Sequence, residues 1–89
     1  MSYKIFLTRR AEKDLDKMDS DDEERVRKKI KELKEFPEHF GKPLKGDNDL
    51  WVLKIGRSSW SAVYKMDESD EALTVIAIGH RRNVYQEFP

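Results

Sequence analysis

The chain has 89 residues and carries 18 basic and 18 acidic side chains, for a formal net charge of zero. That length is too short for two independent cores, and the charge balance excludes a globally basic nucleic-acid binder while leaving room for a locally basic face. With no cysteine and no apolar run near the ~18 residues of a membrane span, disulfides, thiolate zinc sites and membrane insertion drop out, so one domain over residues 1–89 in the cytoplasm is expected.

Tyr3, Ile5 and Leu7 alternate with Lys4 and Phe6, the period of a short strand. Thr8 is placed to cap a helix whose apolar stripe is Ala11, Leu15 and Met18. Asp19-Ser20 breaks it, and Ser20-Asp-Asp-Glu23 has the spacing of a capping box for a second helix, with Val26, Ile30 and Leu33 as its stripe. Acidic residues fill its first turn and lysines come later, as the helix dipole prefers. Pro37 predicts an end near Phe36. Residues 37–49, with two prolines and two glycines, read as a loop. Three strands follow, Leu50–Ile55, Trp60–Met66 and Ala72–Ile78, separated by Gly56-Arg57-Ser58-Ser59 and by the acidic turn 67–71. The last run is apolar on both faces and reads as a central strand.

The order is β-α-α-β-β-β. Two helices with single apolar stripes need one sheet face to cover them. The expected fold is therefore a small α+β domain, a helical hairpin on one face of a mainly antiparallel sheet, with the other face open. Charges along the helices are balanced, but Lys42, Lys45, Lys54, Arg57, Lys65, Arg81 and Arg82 fall in the loop, sheet and tail. Alternation puts Lys54, Ser61 and Lys65 on the face opposite Trp51, Leu53 and Ile55, hence on the open face. A basic patch there suits phosphates, although solubilising lysines explain the same residues. His39 and His80 are far apart in sequence, with no carboxylate at ligand spacing, so no metal site and no cofactor are expected.

Lys42-Pro-Leu-Lys-Gly46, Leu50-Trp-Val-Leu-Lys-Ile-Gly56, Ala62-Val-Tyr64 and Ile78-Gly-His-Arg-Arg-Asn-Val-Tyr85, preceded by Ala11-Glu-Lys-Asp-Leu15, resemble the RelE/ParE toxin superfamily over nearly the whole chain. The resemblance implies the toxin of a type II toxin–antitoxin pair. Its RelE branch is similar to a ribosome-dependent endonuclease cutting messenger RNA in the ribosomal A site; its ParE branch poisons DNA gyrase. On the RelE pattern Lys54 matches a catalytic-face lysine, a general base or phosphate contact. Arg81 matches an arginine that supports transition-state charge, and Tyr85 a tail tyrosine that stacks on a base or orients the nucleophile. His80 sits where some relatives carry a catalytic histidine. Lys42, Lys45, Arg57, Lys65 and Arg82 are the accompanying RNA-binding candidates.

The pattern is broken at Ser61, where the family's aromatic-Arg-x-x-Tyr reads Trp60-Ser-Ala-Val-Tyr64, and at Val52, where some relatives are basic. Serine offers one neutral donor where arginine offers a charged fork. Three classes therefore stand side by side: an RNA-cleaving toxin attenuated by Ser61, a non-enzymatic gyrase binder, and a module that keeps only antitoxin recognition. Alternation also predicts that Ser61 is exposed and tolerates arginine without loss of stability. A partner antitoxin, acidic where it meets Lys54 and Arg81, is expected to wrap the domain over apolar surface at Trp60, Val63 and the tail.

Overall fold

The computed structural model describes residues 2–44, 49–56 and 59–88. Its elements run β1 (Lys4–Leu7), α1 (Arg9–Asp16), α2 (Ser20–Leu33), α3 (Pro37–Phe40), β2 (Gly41–Pro43), β3 (Leu50–Lys54), β4 (Trp60–Asp67), β5 (Ala72–His80) and α4 (Arg81–Gln86). The sheet has the order β1-β5-β4-β3-β2. Among the described residues, β1 and β5 pair in parallel and the other neighbours are antiparallel. The α+β reading and the central place of the last strand both stand.

Alternation decides the main core. Leu53, Ala62, Tyr64, Leu73, Val75 and Ile78 share a face with Ala11, Leu15, Val26, Ile30 and Leu33 of the helices, all buried. The apolar stripes make this face the only one that can remove so much hydrocarbon from water. Among the described residues, no helix is long and apolar enough to cross a membrane.

Thr8 caps α1 as expected, its hydroxyl accepting from the Ala11 N–H at 3.1 Å, and the same hydroxyl donates to the Ile76 carbonyl at 2.6 Å. Asp14 in α1 accepts the Ile78 N–H at 2.9 Å. Because β1 pairs only as far as Val75, these two side chains satisfy β5 backbone groups that lie past the end of the shorter strand. The pairing of β4 with β5 shifts at Val63 and Tyr64, whose partners are Ala77 and Val75. Ile76 is the extra residue of a bulge, and both Ile76 and Ala77 pack away from the main core.

Four expectations are corrected. The α2 N-cap is Asp19, not Ser20, and it makes no side-chain capping bond; Glu23 instead pairs with Arg27 at 2.8 Å, one turn on. The helix ends at Leu33, because Phe36 adopts φ −135° before Pro37 and the intervening turns tighten to i→i−3 bonds from Lys34 and Glu35. Residues 37–49 are not a plain loop: they supply α3 and the edge strand β2, which pairs with β3. The tail forms α4, whose Val84, Tyr85 and Phe88 cover Val63 and Ala77 on the second sheet face. Val63 is consequently buried rather than part of an exposed apolar surface.

Candidate functional site

Lys54 ends β3 with its side chain exposed, register-opposite Ser61 on β4. Ser61 in turn pairs with Gly79 on β5, and its hydroxyl lies 3.4 Å from the Tyr85 hydroxyl. Three strands and α4 thus bring Lys54, Ser61 and Tyr85 to one corner of the second face. Neighbouring strands are about 4.8 Å apart, so the Lys54 stem and the phenol flank Ser61 closely.

Ser61 is fully buried, which corrects the expectation of an exposed, tolerant position. Alternation put it on the right face, but α4 covers that face. Val84 of α4 lies near Gly79, the β5 partner of Ser61, and the serine side chain is enclosed. The polar hydroxyl is tolerated there because Tyr85 offers it a partner.

Arg81 opens α4. Its backbone N–H donates to the Ser59 carbonyl at 2.7 Å, which anchors the helix to the β3–β4 turn. Its guanidinium Nε is buried without a hydrogen-bond partner among the described residues. An unpaired buried cationic donor is costly and is relieved by an anion. Arg82 is exposed on the same helix.

His80 is not turned toward this corner. Its ring stacks on Trp60 with centroids 4.3 Å apart, and Nδ1 lies 2.9 Å from the Ser59 hydroxyl. Trp60 packs against the main core, so the imidazole serves the other face. Lys65 shares the face of Ser61 but sits opposite Leu50, four register steps from Lys54, roughly 13 Å at strand rise. It borders Asp67 and Glu68 of the acidic hairpin instead. Lys42 is brought in: it pairs with Val52, and with Lys54, Val52 and Phe40 it lines a small cleft. Lys45 and Arg57 lie outside the described residues.

Tyr64 was legible only as part of a motif, yet it fixes this arrangement. Its hydroxyl donates to the Pro37 carbonyl at 2.7 Å, and any Cβ at position 41 would collide with that hydroxyl, so Gly41 admits the close approach of β2. Burial first, and the Glu38 charge second, push its phenol well above the ordinary tyrosine value. The signal in the sequence was Gly41 four residues after Pro37, which marked a tight backbone without naming its partner. Among the described residues, no three His, Asp or Glu side chains gather as metal ligands.

The family model of the ParE toxin of type II toxin–antitoxin systems, parDE, matches residues 5–85. The chain belongs to this toxin family. The chain is 30% identical over 89 residues to the mRNA interferase toxin RelE of Escherichia coli, covering 98% of this chain and 94% of the relative. The E. coli RelBE toxin–antitoxin complex matches with a TM-score of 0.76 at 28% identity, over 89% of this chain and 96% of that one. In fold alone, a RelBE complex of Mycobacterium tuberculosis matches with a TM-score of 0.81 at 22% identity, over 91% and 100%. The toxin thus shares its helices-on-sheet architecture with RelE proteins.

Proposed function

We propose that this toxin acts in the cytoplasm as an mRNA endonuclease of the RelE kind, working on messenger RNA in the ribosomal A site and held in check by a cognate antitoxin. The observation that carries the reading is the convergence of Lys54, the Ser61 hydroxyl and the Tyr85 hydroxyl at one corner. The near full-length identity to RelE supports it. In this reading Lys54 contacts the phosphate as an ammonium, or in its neutral form accepts the proton of the RNA 2′-hydroxyl. The 2′-oxygen bonds to the adjacent phosphorus as the bond to the 5′-oxygen breaks, the 2′-hydroxyl proton leaving to the base or to water and the leaving oxygen taking a proton from solvent water. Arg81 supports the phosphoryl charge and Tyr85 orients the nucleotide. Neither metal nor cofactor takes part.

Net charge is zero and the cationic set small, so free RNA binds weakly at physiological salt and the ribosome supplies the substrate. Ser61 is neutral and buried under α4 where an arginine would supply a charged donor that strengthens in the transition state, so cleavage is attenuated by ~10²–10³. The experiment is controlled expression of the toxin and of Ser61→Arg, with and without antitoxin, reading message cut sites and DNA breaks in parallel. The reading expects Ser61→Arg to raise cleavage by about 10²–10³. Unchanged messages with Lys54 and Arg81 intact would sink it. The match to the ParE model together with a buried serine favours one second reading, a non-enzymatic gyrase poison; DNA breaks without message cuts would select it.

A further inference from the structure

Phe36, His39 and Phe40 stand outside both cores. Phe36 is 60% exposed and Phe40 39%, while His39 is also exposed. Single exposed apolar rings are ordinary, but these three form one cluster. Phe36 and Phe40 meet edge-to-face at 6.2 Å, His39 and Phe40 at 5.0 Å, and Phe36 and His39 at 6.4 Å. Each edge-to-face contact covers one face of one ring, and the exposure of Phe36 and Phe40 leaves further ring surface open to another flat group. The cluster is also held firmly. Its short helix is tied to the sheet by the Tyr64 hydroxyl on the Pro37 carbonyl and continues directly into β2.

Phe40 opens onto the cleft it shares with Lys42, Val52 and Lys54. No carboxylate lines that cleft, and among the described residues neither ammonium meets one. Flat apolar rings beside two lysines that meet no carboxylate among the described residues fit a ligand that is both aromatic and anionic at short repeat. Single-stranded nucleic acid has that chemistry, and a folded acidic protein does not require the ring faces.

We propose that Phe36, His39 and Phe40 form a stacking platform for unpaired bases of single-stranded RNA, with the flanking phosphates on Lys42 and Lys54. The proposal rests on the ribonuclease reading, because Lys54 is common to both. Tyr85 lies on one side of Lys54 and Phe40 on the other, so the strand crosses β4, β3 and β2, about 10 Å of sheet.

The test uses the full chain and an unstructured oligoadenylate carrying 2-aminopurine, at low salt, with quenching as the readout of stacking. Phe40→Ala and Phe40→Leu each weaken binding about ten- to a hundredfold and lose the quenching, whereas Phe40→Tyr restores both. Phe36→Ala weakens it less, and Lys42→Ala lowers the salt slope by about 0.7. Circular dichroism verifies that each variant is folded. Wild-type affinity in Phe40→Leu overturns the platform, as does no binding at low salt. So does a loss of antitoxin binding with RNA binding unchanged. RNA binding that needs Lys54 but not Phe40 overturns the platform while sparing the ribonuclease reading. Phe40-dependent binding with no cleavage by Ser61→Arg does the reverse.

Discussion

On one face of the sheet, Leu15, Val26, Ile30 and Leu33 from two helices meet Leu53, Tyr64, Leu73 and Val75. On the other, Val63 and Ala77 lie under Val84 of a helix only six residues long. The first face buries enough hydrocarbon to hold the fold, while the second is a thin cover drawn over Ser61, beside Lys54 and Tyr85. Stability and the candidate chemistry are thereby kept on opposite sides of one sheet, so residues of the site can vary without dismantling the core. The cover is local, and such small units open at lower free energy than a core does.

The contrast is broken most severely on the helix face. Leu15→Ala is expected to cost about 2–5 kcal/mol and to lower the denaturant midpoint of the whole molecule. The same face gives an alkaline limit. The Tyr64 phenol is raised above its ordinary value of 10.0, so the folded state holds its proton more tightly than the unfolded chain. That stability is complete below pH 10 and falls as pH rises above it. Unfolding followed against pH should show the decline in the wild type and a shallower one in Tyr64→Phe.

Asp14→Ala tests the clasp between the faces. It leaves the Ile78 N–H without its acceptor and should cost about 1–3 kcal/mol, of which Asp14→Asn recovers part by restoring an oxygen. Arginine at position 61 should cost a comparable ~1–3 kcal/mol, since it overfills the space beneath α4, even as it supplies the charged donor. Thermal melts of Ser61→Arg beside its cleavage assay would show both effects; an unchanged melting temperature would mean that α4 does not confine the position.

Val84→Ala sharpens the comparison further. It should cost about 1–2 kcal/mol, and amide exchange should quicken in residues 81–86 while the amides of Leu73 and Val75 stay protected. Uniform loss of protection would show that the two faces unfold as one. The smallest effect is expected at Arg10, which bridges Asp14 and Glu87 at the surface. Arg10→Ala should change stability by less than about 1 kcal/mol, because Arg10 and Glu87 are half-exposed and screened by salt.

Residue patterns along the chain carried the main core, the two long helices and the three long strands. Period 3.6 in Val26, Ile30 and Leu33 and period 2 in Leu53, Ala62 and Tyr64 each require one apolar side, and burial follows from that requirement. The face of Ser61 was legible by the same alternation, but its burial was not. Arg81 to Gln86 have no apolar stripe long enough to announce a helix, and α4 forms because Val84 and Tyr85 find Val63 and Ala77 on a finished sheet. Likewise β2 is three residues long and pairs only because Gly41 lets the backbone approach Tyr64. His80 could not be assigned a side until the strand that carries it ended beside Trp60. The sequence determined what must be buried, since that depends on neighbours in the chain; which polar groups meet at one corner was decided only in the tertiary structure, where strands distant in sequence became neighbours in register.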